Sequence, residues 1–167
     1  PPLFDDSYYG AVIHEIREMQ IMNMGNYAHG NQPVQHMIYL YGYSGEPWKT
    51  QYWIRQIMDR MYNANPDGYC GDEDNGQTSA WYVYPVCPGS GEYVLGAPRF
   101  DEMTLHLENG KSVSIKARNN EDENCYVKAL QLNGAPYTKN YVTRTDLMNG
   151  AQFVYDMASE PNKQRGT

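Results

Sequence analysis

Met103-Thr104-Leu105-His106-Leu107-Glu108-Asn109-Gly110-Lys111-Ser112-Val113-Ser114-Ile115-Lys116 reads as two strands around a turn. Met103, Leu105 and Leu107 alternate with polar residues, as do Val113 and Ile115, which is the period of a strand with one buried face. Asn109-Gly110 between the two runs is a strong short-range hairpin signal. The same alternation returns over Tyr126 to Leu132, with Asn133-Gly134 as the next turn, and Gln152 to Met157 supplies a final strand. From Pro88 onward the chain is expected to form a small antiparallel sheet or sandwich.

Upstream the period changes. Ser7 to Met24 carries Val12, Ile13, Ile16, Met19 and Met22 at helical spacing, with Asp5, Asp6 or Ser7 available as a cap and Gly25 as a stop. Pro33 to Tyr43 predicts a second helix, with proline near its first turn and Gly42 and Gly45 at its end. Pro47 to Tyr62 predicts a third, placing Trp48, Tyr52, Ile54, Ile57, Met58 and Met61 on a broad apolar face. Short connections imply antiparallel neighbours, as in a bundle or helical barrel. The expected class is therefore α+β, with a helical region over 1–87 and a β-rich region over 88–167.

Composition narrows the partners. The chain has 167 residues and a net charge of −7, with no cluster of Lys and Arg. Nucleic acid is excluded as a partner on that footing, because phosphate neutralisation needs a basic footprint. No apolar run approaches the roughly 20 residues of a membrane span. The first residues, Pro1-Pro2-Leu3-Phe4-Asp5-Asp6, carry no secretory signal and read like the interior of a longer protein. Sixteen Tyr and three Trp against three Phe favour rings with a polar edge, suited to sugar faces and equally to amphipathic surfaces. Cys70, Cys87 and Cys125 lack metal-type spacing. An oxidising compartment would allow a Cys70–Cys87 bridge, but three buried free thiols is the preferred reading.

Two segments could carry chemistry. The loop from Asn63 to Gln77 sets Asp72, Glu73 and Asp74 in a row, where like charges repel unless something neutralises them. A hard cation held by oxygens, a catalytic carboxylate pair or a solvated acidic turn would each account for the run. Aligning Gly68 with the invariant glycine of an EF-hand puts Asn at the first ligand position and Asp74 at the twelfth, both poor substitutes, so that match is coincidental. The second segment is His29-Gly30-Asn31-Gln32-Pro33, which either caps a turn or lines a cavity with sugar-binding and oxygen-donating groups. His36 lies one helical turn past Gln32; His14 and His106 fall in periodic elements and read as structural.

Taken together, these segments resemble family 92 of the glycoside hydrolases, the calcium-dependent exo-α-mannosidases. The stretches that carry the resemblance are Tyr9 to Met19, His29-Gly30-Asn31-Gln32-Pro33, Tyr39-Leu40-Tyr41, Gly45 to Gln51 and Gly71 to Val83, with Leu107 to Lys111 and Pro161-Asn162-Lys163 in the tail. The resemblance implies that 1–87 holds the C-terminal helices of an (α/α)6 barrel catalytic domain, that the β-rich region closes the chain, and that the rest of the same polypeptide lies upstream. It implies an inverting hydrolase of terminal α-mannosides of glycans, of the α-1,2-mannosidase type. In such enzymes one carboxylic acid protonates the leaving oxygen and a carboxylate roughly 6.5–9.5 Å away activates water.

Carried over by position, Asp74 is the base, with Asp72 as a close partner or alternate. Calcium is the implied cofactor, held by Asn31, Gln32 and Asp74, and His29 contacts the sugar. Glu73 fits less well, since a neighbour in an extended loop points away from Asp72 and Asp74. Two departures stand out. The family's general acid is a Glu upstream of everything present here, so this piece alone is expected to be inactive. By comparison with the family, a short helical stretch is also absent between Trp81-Tyr82-Val83 and Tyr84-Pro85-Val86-Cys87-Pro88, either deleted from the protein or left out of this sequence. Family habit implies a periplasmic, cell-surface or secreted bacterial protein. The competing reading is a non-catalytic calcium- or carbohydrate-binding module.

Overall fold

A computed structural model describes residues 14–66, 68–71, 73–83 and 91–166. The proposed caps Asp5, Asp6 and Ser7, the carboxylate Asp72, Cys87 and the Tyr84-Pro85 junction lie outside the described residues. The chain divides into two compact units, one of Pro1–Met37 with Gln56–Tyr84, the other of Ile38–Arg55 with Pro85–Thr167.

In the first unit, helix α1 spans His14–Met22 among the described residues. It ends where Asn23 and Gly25 take positive φ, at 50° and 69°, and Asn23 N–H closes the last turn on Met19 O. Helix α2, Pro47–Met61, belongs to the second unit up to Arg55 and to the first from Gln56. Helix α3 is Gln77–Val83. The loop before α3 closes on itself: Tyr62 and Tyr69 bridge in antiparallel fashion, and Asn63 N–H donates to Gly68 O. A Cβ on Gly68 would overlap Asn63 O. Glycine is therefore required there by a backbone crossing.

The predicted helix from Pro33 to Tyr43 is instead two 3-10 segments, Gln32–Val34 and Met37–Gly42. Pro33 brings no N–H, and Gln35 N–H reaches back only three residues to Gln32 O. The winding thus begins with three-residue closures, which is the 3-10 pattern.

The second unit is built on a five-stranded sheet. Its strands are β2 (Glu102–His106), β3 (Ser112–Arg118), β4 (Tyr126–Leu132), β5 (Ala135–Pro136) and β7 (Ala151–Ala158), in the order β2-β3-β7-β4-β5. A second sheet pairs β1 (Glu92–Val94) with β6 (Tyr141–Thr143), and the short helix α4, Arg144–Met148, follows with a Thr143–Asp146 capping box. The strand placement follows the alternation in the sequence, but the pairing does not. Where an antiparallel sheet was expected, β3 and β7 run parallel through its centre. The chain passes through β4, β5, β6 and α4 between them, length enough for a parallel return, and side-chain alternation carries no information about strand direction.

Turn chemistry sets the registers. Asn133 and Gly134 both have positive φ, 52° and 82°, between the paired Leu132 and Ala135, which is a two-residue type I′ hairpin. At Asn109-Gly110 only Gly110 is left-handed, at 80°. Leu107 N–H bonds Lys111 O there, so the loop takes the three-residue form. A register shift between Val127 and Ala129 exposes both Lys128 and Ala129. Val127 and Leu130, three apart, thereby reach the same buried face as Phe153, Tyr155 and Met157.

Polar residues of α2 are buried in this unit beside Ile54. Gln51 Oε1 accepts from Val127 N–H at 2.9 Å, and Thr50 Oγ1 donates to Ile38 O at 2.7 Å. Arg55, 1% exposed, donates to Pro98 O at 2.8 Å and to Asn120 Oδ1 at 2.7 Å. Gly96 faces Ile54 with no room for a Cβ.

Candidate active site

The two motifs singled out in the sequence meet within the first unit. Gly30 and Gly71 stand backbone to backbone: a Cβ on Gly30 would lie 2.9 Å from Gly71 Cα, and one on Gly71 would lie 2.8 Å from Gly30 Cα. Only a pair of glycines permits that approach. It brings the His29 to Gln32 segment against the start of the acidic loop, although about forty residues of chain separate them.

His29 lies at the centre of a ring cluster and is wholly buried. Its Nδ1 is 2.7 Å from the Tyr27 hydroxyl and its Nε2 is 2.7 Å from the Tyr62 hydroxyl. Trp81 meets the imidazole edge-on at 4.2 Å between centroids, and Trp81 and Tyr62 stack nearly parallel. Tyr62 can donate to Thr78 O at 3.4 Å. The set is satisfied when Nε2 carries the proton and Nδ1 accepts from Tyr27. Burial pushes the imidazole down to about 3, so it is neutral at physiological pH. Burial likewise pushes the Tyr27 and Tyr62 hydroxyls far above their ordinary range. Cys70, a free thiol, is pushed up to about 12 by burial and by the Glu18 carboxylate. Both ring nitrogens are thus engaged by tyrosine hydroxyls, one of which a sugar hydroxyl would have to replace to bond the imidazole.

The acidic run divides its labour. Glu73 turns back onto α3: its carboxylate accepts from Gly76 N–H at 2.6 Å, Ser79 N–H at 3.2 Å and the Ser79 hydroxyl at 2.7 Å. The Ser79 hydroxyl and then the Gly76 N–H hold it below the ordinary carboxylate range. Glu73 is thus spent on the helix N-terminus, where negative charge is favoured. Asp74 is exposed and left-handed at φ 51°, followed by Asn75 at 57° and Gly76 at 98°. Consecutive left-handed residues are uncommon outside glycine, and such strain concentrates at functional loops. Asn31 is exposed, sits at the start of the first 3-10 segment and makes no capping hydrogen bond with its side chain. Gln32 is half-buried. Among the described residues no group of three or more His, Cys, Asp or Glu converges as a metal cluster; the expected donor set is mostly amide oxygen, and Asp72 lies outside the description.

Sequence reasoning passed over Glu18, Tyr27, Tyr62 and Trp81. Tyr62 and Trp81 occupied ordinary helix positions, and only the ring contacts mark them out. The Glu73–Gly76–Ser79 spacing was the one legible signal, as a helix-start pattern.

The glycine contact makes a direct prediction. Gly71→Ala adds a left-handed penalty of about 1–2 kcal/mol to an overlap costing about 1–3 kcal/mol. Gly25→Ala is the control, because Gly25 is also left-handed, at 69°, but has nothing within 4 Å of its Cβ position. Urea unfolding should show Gly71→Ala to be clearly the more damaging change; equal losses would mean that the close approach carries no energy.

Residues 3–159 match the glycosyl hydrolase family 92 catalytic domain. The chain belongs to glycosyl hydrolase family 92. It is similar to a family GH92 inverting mannosidase from Bacteroides thetaiotaomicron VPI-5482, with 54% identity and a TM-score of 0.79 over 98% of this chain and 23% of that one. A family GH92 α-mannosidase from Bacteroides thetaiotaomicron, solved in complex with mannoimidazole, shares 42% identity with a TM-score of 0.83 over 86% of this chain and 20% of that one. An uncharacterized secreted glycosidase from the fungus Arthroderma benhamiae is 25% identical over 139 residues, covering 78% of this chain and 18% of its own. This family 92 chain therefore spans about a fifth of the length of the relatives it matches. The family resemblance read from the sequence is borne out.

Proposed function

We propose that the chain acts within an inverting, calcium-dependent exo-α-mannosidase that hydrolyses terminal α-mannosides of glycans. On this reading 1–87 holds the last helices of an (α/α)6 barrel, 88–167 is the β-rich C-terminal region, and the general acid comes from the remainder of a longer catalytic domain. Exposed Leu40 and Tyr43 offer apolar surface for that remainder to cover. The relatives named as mannosidases support the substrate class, and a relative described as secreted supports a periplasmic, surface or extracellular location.

The observation that carries the reading is the Gly30–Gly71 contact, which joins the oxygen-donor segment to the carboxylate loop. Asp74 is the proposed general base, with Asp72 as its partner or alternate. An exposed carboxylate suits a base that must take a proton from water. Asn31, Gln32 and Asp74 fit a hard cation, since each offers oxygen and calcium takes six to eight such ligands. Bound there, calcium would polarise and orient mannose hydroxyls. His29, with both nitrogens engaged, holds the donor segment in place beneath the sugar.

The test is the anomer released first. Proton NMR of an aryl α-mannoside digested by the complete enzyme should show β-mannose appearing before mutarotation, with release lost on chelation and restored by calcium. First-formed α-mannose would exclude inversion, and turnover indifferent to chelation would exclude the metal.

A further inference from the structure

One carboxylate near the site has no part in that reaction. Glu18, on α1, is half-buried and places both carboxylate oxygens on a single N–H: Gly30 N lies 3.0 Å from Oε1 and 3.1 Å from Oε2. Gly30 is itself buried. The neighbouring N–H groups find backbone partners, with Asn31 donating to Ala28 O, Val34 to Asn31 O and Gln35 to Gln32 O. The Gln35 side chain in turn holds His29 O at 3.1 Å. The Gly30 peptide, in the turn where the chain presses on Gly71, is thus gripped from helix α1 by a charge-assisted bond. A Cβ on Gly30 would approach Glu18 Oε2 to 2.6 Å as well as Gly71, so carboxylate, Gly30 and Gly71 are stacked with no space between them.

We infer that Glu18 is a positioning residue, whose grip on the Gly30 N–H sets the orientation of Asn31 and Gln32 beside the acidic loop. Its bearing on catalysis rests on the function proposed above; its grip on Gly30 does not. Asn31 follows the gripped peptide directly, so a released Gly30 would let its side-chain oxygen swing. Displacement of a positioning group by about 1 Å can reduce turnover on the order of 10²-fold.

The test uses the complete enzyme, with Glu18→Ala, which removes the acceptor, and Glu18→Gln, which keeps one acceptor oxygen in reach. Amide hydrogen exchange of the peptide containing Gly30 to Gln32 should quicken by on the order of 10-fold in Glu18→Ala. Exchange in the strands around Phe153 should stay unchanged, and Glu18→Gln should restore most of the protection. On an aryl α-mannoside, kcat should fall in Glu18→Ala and recover in Glu18→Gln. Faster exchange throughout the chain would overturn the inference in favour of a merely structural role. Equal damage from Gln and Ala would overturn it too, since charge and not the hydrogen bond would then matter. If the wild-type enzyme releases no mannose while the local exchange pattern holds, the function proposed above fails and the grip on Gly30 stands.

Discussion

In the complete enzyme, Asp74→Asn is expected to lower kcat on an aryl α-mannoside by roughly 10²–10⁴-fold, the usual contribution of a general base. The amide keeps the shape of the carboxylate but cannot take the proton from the attacking water. The backbone should tolerate the change, because asparagine adopts the left-handed region as readily as aspartate and Asp74 sits at φ 51°. Helix α3 should stay intact, since its N-terminus is held by Glu73 and not by the Asp74 side chain. The loss would therefore report chemistry and metal, not folding. Calorimetry separates those two: Asp74→Asn should also weaken calcium binding, while Asp72→Asn should retain more of it if that residue is chiefly catalytic. Full turnover in Asp74→Asn would remove Asp74 from the base role, and unchanged calcium affinity would remove it from the ligand set.

A large stability loss is expected at Arg55→Ala, on the order of 3 kcal/mol, because hydrogen bonds from a charged donor contribute about 1.5–3 kcal/mol each and the packing of the buried stem is lost with them. Arg55 is 1% exposed and clamps Pro98 O and Asn120 Oδ1, while Asn120 Nδ2 carries the grip on to Arg99 O and Asp101. Truncation removes the donor from two half-buried acceptors and empties the space of a buried side chain. Urea unfolding of Arg55→Ala, Asn120→Ala and the double variant should show coupling of about 0.5–3 kcal/mol. Additive losses would mean that the two side chains act independently.

Helix and strand placement was largely legible because it depends on local periodicity. Ile54, Ile57 and Met61 recur at helical spacing and are buried, and β3, β4 and β7 fall where alternation put them. Family membership was legible for a different reason, since short motifs such as His29 to Pro33 and Gly71 to Val83 are specific in combination. The segment from Pro33 to Tyr43 was misread because a proline, a glycine and apolar residues at helical spacing do not distinguish α from 3-10 winding. The central parallel pair was missed because direction is a property of the path between strands.

The sequence by itself determined where the main strands and the helix Pro47–Met61 lie and the positions of the Asn133-Gly134 and Asn109-Gly110 turns. Each of these follows from the chemistry of a few consecutive residues. Only the tertiary structure decided which polar residues lie inside and what they hold. Gln51 and Arg55, which the apolar pattern of the helix does not mark, are buried, Gln51 accepting from the Val127 N–H and Arg55 donating to Pro98 O. His29 is wholly buried and engaged by Tyr27, Tyr62 and Trp81, an environment that the motif His29-Gly30-Asn31-Gln32-Pro33 does not reveal. Glu18, which no sequence pattern singles out, accepts from the Gly30 N–H. Partners distant along the chain make these assignments, because whether a buried polar group can be accommodated depends on acceptors and donors that no local pattern contains.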